Sequence, residues 1–263
     1  MEISPKFFAA CAASLLVSSM AFSAHANDRH FAYNYETAVL APGERELEVW
    51  TTWRSGRDTY YSRLDHRLEF EVGLTESLMT AFYLNFHGIT EETPEETLDS
   101  RFAYDGVSSE WKLKLSDPVA DAIGSAAYLE ASLGTNEYEL EAKLLLDKRI
   151  GDLLLTLNLV GELEWEVEKD HTERALVLQP LFGAAYLFSP AFSAGLEARD
   201  KNVIEDGKLE RSVLQVGPAF AFSAKTWWAT ATFLPQLLDL KTGAQNLTAG
   251  ERYEARLLFS MHL

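Results

Sequence analysis

Cysteine is almost absent from this sequence: one in 263 residues, Cys11. It falls in an N-terminal stretch expected to be cleaved, so the mature chain would hold no thiol, no disulfide framework and no cysteine metal site. Phe8-Ala9-Ala10-Cys11 has the look of a lipoprotein box, but it precedes the apolar core of that stretch instead of following it. Long hydrophobic runs are missing too. Nothing beyond residue 26 approaches the roughly 18 consecutive apolar residues of a spanning helix. Positive charge is scarce. Lys and Arg number 23 against 40 Asp and Glu, a net charge of −17. Binding to phosphate backbones needs a basic footprint, so nucleic acid is excluded as a partner. Zinc, phosphate-loop and EF-hand spacings do not occur. No cofactor and no metal site are expected, and no catalytic residue is assigned.

Residues 1–26 have the make-up of a secretory signal. Lys6 supplies the positive end, residues 7–22 are almost wholly apolar or small, and Ala24-His25-Ala26 fits a small-x-small cleavage site. Removing Glu2 and Lys6 with it leaves the net charge at −17.

The mature chain, residues 27–263, is dominated by alternation with a period of two, the mark of a strand with two unlike faces. Twelve segments can be drawn: 44–54, 62–74, 78–88, 107–116, 124–134, 138–149, 153–168, 172–188, 192–201, 209–223, 226–238 and 253 to the last residue. The second is the clearest, with Leu64, His66, Leu68, Phe70 and Val72 opposing Asp65, Arg67, Glu69 and Glu71. The eighth alternates poorly. Pro180, Pro218 and Pro235 are expected to mark bulges or frayed positions, because proline cannot donate to a ladder.

Alternation alone fits a soluble barrel and a membrane barrel equally. Four features favour the membrane. Closing a sheet of twelve strands removes its edges, and in hydrocarbon every backbone group must be paired. The connections at 75–77, 117–123, 150–152, 189–191 and 224–225 are short, whereas 89–106 and 239–250 read as long polar loops; short periplasmic turns and longer outer loops are the expected asymmetry. The segments are long enough to cross a bilayer at a tilt, which takes about 9–11 residues. The final segment, with Tyr253, Ala255, Leu257, Phe259, Met261 and Leu263 on one face, resembles the C-terminal signal read by the outer-membrane assembly machinery, although Leu263 stands where an aromatic is usual. Trp53, Phe86, Trp111, Trp165, Trp227 and Tyr253 are placed to form interfacial girdles. The expected fold is therefore all-β: a single antiparallel transmembrane β-barrel of about 12 strands in the bacterial outer membrane, in contact with outer-membrane lipid and lipopolysaccharide.

A wider resemblance agrees. Tyr33-x-Tyr35, the adjacent Pro42-Gly43, Glu46-x-Glu48-x-Trp50-x-Thr52-x-Arg54, Glu69-x-Glu71-x-Gly73-Leu74-Thr75, Asp117-Pro118 and Gly195-x-Glu197-x-Arg199 are similar to a family of uncharacterised proteobacterial outer-membrane barrel proteins. The similarity spans most of the mature chain. It implies the fold and brings no activity with it.

With leucines turned to lipid, the polar faces line the interior. The lumen-lining candidates are Asp65, Arg67, Glu69, Glu71, Glu110, Lys112, Lys114, Glu130, Glu141, Lys143, Glu162, Glu164, Glu197, Arg199, Glu254 and Arg256, joined by Glu46, Glu48, Glu139, Glu166 and Arg54. Acids outnumber bases, and Arg67 and Lys112 are expected to meet Glu69 and Glu110 across the lumen. Two readings stay open. An open lumen would make a cation-favouring channel or passive binding protein for small solutes or cations; a filled one would make a structural or adhesive barrel. An outer-membrane lipid hydrolase is the third alternative. Its nearest candidates, Ser62 and His66, are about 13 Å apart along one strand, too far for a direct hydrogen bond. Glu91, Glu92, Glu95, Glu96 and Asp99 read as a solvated acidic loop.

Overall fold

Period-two alternation becomes twelve antiparallel strands in the computed structural model, which describes residues 28–167, 171–248 and 250–263. The expected signal stretch lies outside the described residues. The strands are β1 (Arg45–Ser55), β2 (Tyr61–Gly73), β3 (Leu78–Glu92), β4 (Leu98–Ser116), β5 (Gly124–Gly134), β6 (Glu137–Ile150), β7 (Leu153–Val167), β8 (Thr172–Ser189), β9 (Phe192–Glu205), β10 (Lys208–Ser223), β11 (Trp227–Asp239) and β12 (Tyr253–His262). Each pairs with its neighbours in sequence, and β1 pairs with β12 from Glu46↔His262 to Ser55↔Tyr253, so the sheet closes on itself. No described helix is long and apolar enough to cross a membrane.

The two faces of the wall differ as a bilayer requires. Leu129, Leu144 and Phe220 are 47%, 42% and 51% exposed on the outside, whereas Glu130, one residue from Leu129, is 2% exposed. A soluble barrel would hide the leucines; here they form a continuous apolar exterior. Aromatic contacts band its two rims. Phe222, Trp227 and Phe259 pack together near the end that carries the C-terminus, and Phe86 with Phe102 and Tyr104, and Phe233 with Tyr253, pack near the other.

Three expectations need correction. Residues 89–106 are not a loop. β3 and β4 run on as a paired hairpin to Glu92↔Leu98, turned by 93–97. The alternation was hidden by a bulge between Asn85 and Phe86, which inserts Asp105 and changes the phase of β4. The prolines act unequally: Pro180 keeps its pair with Leu159 and the β8–β9 ladder skips Gln179 and Pro180 without a shift of register, whereas the β10–β11 register slips between Leu214 and Gln215, close to Pro218 and Pro235. Finally, Glu166 is exposed at the end of β7 and is not among the residues that line the cavity described below.

Residues 28–44 precede the first of the strands. They enter the barrel at the end that carries the C-terminus and fill that half of the lumen. Phe31, Ala32, Asn34 and Thr37 are fully buried there. This segment explains part of the poor alternation of β8: its inward face carries Leu181 and Ala185, which cluster with Tyr33, Tyr35 and Phe31 of the plug. Phe31 clusters with Leu154, Ala185 and Ala219. Gly183 lacks a side chain where the Phe31 ring passes; a Cβ there would sit 2.9 Å from the ring.

Candidate functional site: a lumen divided by an internal plug

Polar side chains of the wall hold the plug by its backbone. Glu197 on β9 accepts from the N–H groups of Ala32, Tyr33 and Asn34 at 3.2, 3.0 and 2.7 Å, and from Asn34 Nδ2 at 3.0 Å. Three successive amides converging on one carboxylate make an anion-binding nest. Asn158 on β7 accepts from Tyr35 N and donates to the Tyr35 carbonyl. Asp147 on β6 accepts from the Thr37 amide at 3.0 Å and from its hydroxyl at 2.7 Å. These bonds satisfy a buried irregular segment that has no ladder of its own.

The plug presents two tyrosines to the remaining space. The Arg256 guanidinium lies 4.1 Å from the Tyr33 ring centre and that of Arg199 4.9 Å. Tyr35 is flanked by Lys143 and Arg29, each 4.0 Å from its centre. Such cation–π contacts contribute most where water is excluded. Above these rings a cavity of about 500 Å³ opens toward the end away from the C-terminus.

Charge around this vestibule is segregated. Arg54, Arg63 and Arg67 from β1 and β2, Arg256 from β12, and Arg199 and Lys201 from β9 stand on one side; Glu130, Glu137, Glu139, Glu141, Glu162 and Glu164 from β5, β6 and β7 stand opposite. Lys143 stands among the acids, and Asp65 and Asp105 lie nearer the bases. The lining therefore holds eight Asp and Glu to seven Arg and Lys. The acidic surplus expected throughout the lumen is instead gathered in the plugged half, where Glu46, Glu48, Glu69, Glu71 and Glu110 are buried with Arg29 and Lys112.

Among the sequence candidates, Glu69, Glu71, Glu110, Lys112, Glu130, Glu162, Glu197, Arg199 and Glu254 are buried in the interior, and Asp65, Arg67, Glu141, Lys143, Glu164 and Arg256 are half-buried. Lys114 lies low, at the turn, where it donates to Asp117 at 2.7 Å. Arg67 does not meet Glu69. It reaches along the wall to Glu130 on β5, with Asn85 Oδ1 at 2.9 Å and the Tyr83 ring beneath it. Arg199 pairs with Glu254 at 2.6 Å, Arg54 with Asp65, and Lys143 with Glu141 at 2.8 Å. On the outer face, Ser62 accepts from Trp53 and His66 lies against Thr51, each at 3.1 Å, so each has its own partner and the two do not pair. Of the acidic loop, Glu91 pairs with Arg101 at 2.8 Å.

A closed antiparallel barrel, apolar outside and polar within, with aromatic rims, defines the class: the chain is an outer-membrane β-barrel. It belongs to the DUF6662 family, a family of unknown function whose model matches residues 23–263. Solved structures agree on the fold. The COG4313 outer membrane channel from Pseudomonas putida F1 is similar at a TM-score of 0.64 and 12% identity, over 86% of this chain and 98% of that one. The NanC porin gives 0.52 and 12%, over 82% and 99%. The β-domain of the Bordetella autotransporter BrkA gives 0.53 and 8%, over 84% and 100%. The fold thus serves channels and an autotransporter alike. No curated protein matches the chain.

Proposed function

We propose that this barrel is a passive channel or solute-binding protein of the outer membrane, drawn closed by its own N-terminal segment. The carrying observation is the cavity of about 500 Å³ that opens at one end and stops on Tyr33 and Tyr35 of the plug. The short turns and the C-terminus lie at the opposite end, and short turns are the periplasmic ones in such barrels, which supports a vestibule that faces the cell exterior. Its opposed walls of arginine and glutamate suit small polar solutes that carry both signs or a strong dipole. Withdrawal of residues 28–44 would expose the buried glutamates of the lower half, and a conduit lined by fixed acids favours cations.

The density of anchors on the plug favours a second reading, a permanently filled barrel. Planar-bilayer recording of the full-length protein separates the two. Ion steps with a cation-favouring reversal potential are expected. Anion preference would overturn the selectivity. Silence from both the wild type and a variant with a weakened plug would leave the filled barrel.

A further inference from the structure

On adjacent strands at the barrel seam, the register sets Glu46 opposite Glu71 and Glu48 opposite Glu69. Four glutamates thus form a two-by-two block on the interior wall, each 6% exposed or less. One carboxylate oxygen from each of Glu46, Glu48 and Glu71 lies within 4.8 Å of the others. Glu46 receives hydrogen bonds from Trp228 Nε1 at 3.0 Å and Ser260 Oγ at 2.7 Å, and Glu48 from Trp50 Nε1 at 2.9 Å. These donors steer one oxygen of each carboxylate and leave Glu48 Oε1 without a donor.

An independent observation comes from Glu69. It is 1% exposed, and neither of its oxygens has a hydrogen-bond donor. Its strongest charged neighbours are Glu71, Glu48 and Glu110, all acids. His262 Nδ1 lies 3.1 Å from Glu46 Oε1, and Arg29 and Lys112 are the further basic groups near the block. They leave it with more negative than positive charge, in a place where unpaired charge is costly. Beside the block, and sharing Glu71 with it, a crevice of about 10 Å³ is lined by Glu71, Glu110 and Lys112 of the wall and by plug residues that include Asp28, Arg29 and Glu36.

We propose that the Glu46–Glu48–Glu71 block binds a single calcium ion, with Glu69 as a further oxygen donor. The donors are all hard oxygens, which selects alkaline-earth ions over zinc or copper. Three oxygens at most 4.8 Å apart can all lie within about 2.8 Å of one point, near the roughly 2.3–2.6 Å that calcium takes, whereas magnesium demands a tighter octahedron at about 2.0–2.1 Å. The site joins β1 to β2 next to the seam with β12 and lies beside Arg29 of the plug, so the ion would tie the closure of the barrel to the seating of residues 28–44. It is independent of whether the barrel conducts.

The two indoles bonded to the block supply the test. Full-length folded protein, freed of metal and titrated with terbium, is expected to show indole-sensitised luminescence that calcium displaces at lower concentration than magnesium. Trp50→Phe and Trp228→Phe together should reduce that luminescence several-fold, because they remove the sensitising indoles beside the block. Glu48→Gln and Glu71→Gln should each weaken calcium binding tenfold or more, with folding checked by heat-dependent gel migration. If these variants do not fold, the wild-type and tryptophan-variant titrations decide alone. Absence of calcium binding, or binding unchanged in folded Glu48→Gln and Glu71→Gln, overturns the site and leaves shared protons as the block's compensation.

Discussion

Asn158 and Tyr35 form a reciprocal pair: Tyr35 N donates to Asn158 Oδ1 at 2.6 Å, and Asn158 Nδ2 donates to the Tyr35 carbonyl at 2.9 Å. A wall side chain here does what a neighbouring strand does elsewhere, taking both polar groups of one residue. With Glu197 and Asp147 it turns an irregular segment into a fixed part of the lumen, and the behaviour of the barrel follows from how firmly that segment is held.

Glu197 is the anchor with the largest share of plug amides. Glu197→Ala removes a charged acceptor from three backbone N–H groups, and a hydrogen bond to a charged group contributes about 1.5–3 kcal/mol. Plug docking is expected to weaken by at least about 2 kcal/mol, roughly a 30-fold shift toward release. Single-channel open probability should rise accordingly. An unchanged closed record would show that the plug is not the gate.

The plug also carries a titrating pair. Burial opposes the charged form of His30, but the Glu36 carboxylate, 3.0 Å from Nδ1, outweighs it and holds the imidazole above its ordinary pKa; Asp28 helps and Arg149 opposes. Burial likewise opposes the charged form of Glu36, and His30 holds that carboxyl below its ordinary value. The contribution of His30 is full below the free imidazole value of about 6.5 and is lost as pH rises through the raised value. That of Glu36 is full above about 4.3 and is lost as pH falls through the lowered value. The plug should be held best between these limits and loosen on the alkaline side. His30→Asn should flatten the alkaline limb of opening against pH; a limb of the same height in that variant would refute the assignment.

Gly73 marks where the plug passes under β2. A Cβ there would lie 2.1 Å from the Ala41 carbonyl oxygen and 2.5 Å from that of Leu40, and backbone atoms cannot swing aside. Gly73→Ala is expected to cost about 1–3 kcal/mol in equilibrium unfolding, as overpacking does. Gly161→Ala is the control: its Cβ would meet only Leu178 at an ordinary 3.8 Å. Equal losses in the two would mean the effect is generic to strand glycines.

Leu144 lies midway along β6 on the outer face. Leu144→Arg should destabilise the barrel by about 2–4 kcal/mol in lipid vesicles, the cost of a cation at the bilayer midplane. A loss well under about 1 kcal/mol would argue that this face does not meet hydrocarbon.

Much of the fold was legible along the chain. Asp65, Arg67, Glu69 and Glu71 alternate with leucines and a phenylalanine, and a strand has only two faces, so fixing one fixes the other. The far hairpin was not legible, because the extra residue Asp105 changes the phase of β4 and a period-two pattern reads as broken there. The plug left a trace of another kind. Leu145, Leu154, Leu181 and Ala185 put apolar side chains on the inward face, where glutamate and arginine stand elsewhere. Those lapses in alternation mark where apolar plug atoms pack, but they name no partner.

The order of residues by itself determined the strands, their two-sidedness and the barrel they close into, because these depend on contacts between neighbours in sequence and on the sign of each face. Only the tertiary structure decided what fills the lumen. Glu197 meets Asn34 across 163 positions and Arg67 meets Glu130 across 63. Pairings at such separations are set by the circumference of the closed sheet and the depth to which residues 28–44 reach, and no local pattern encodes either.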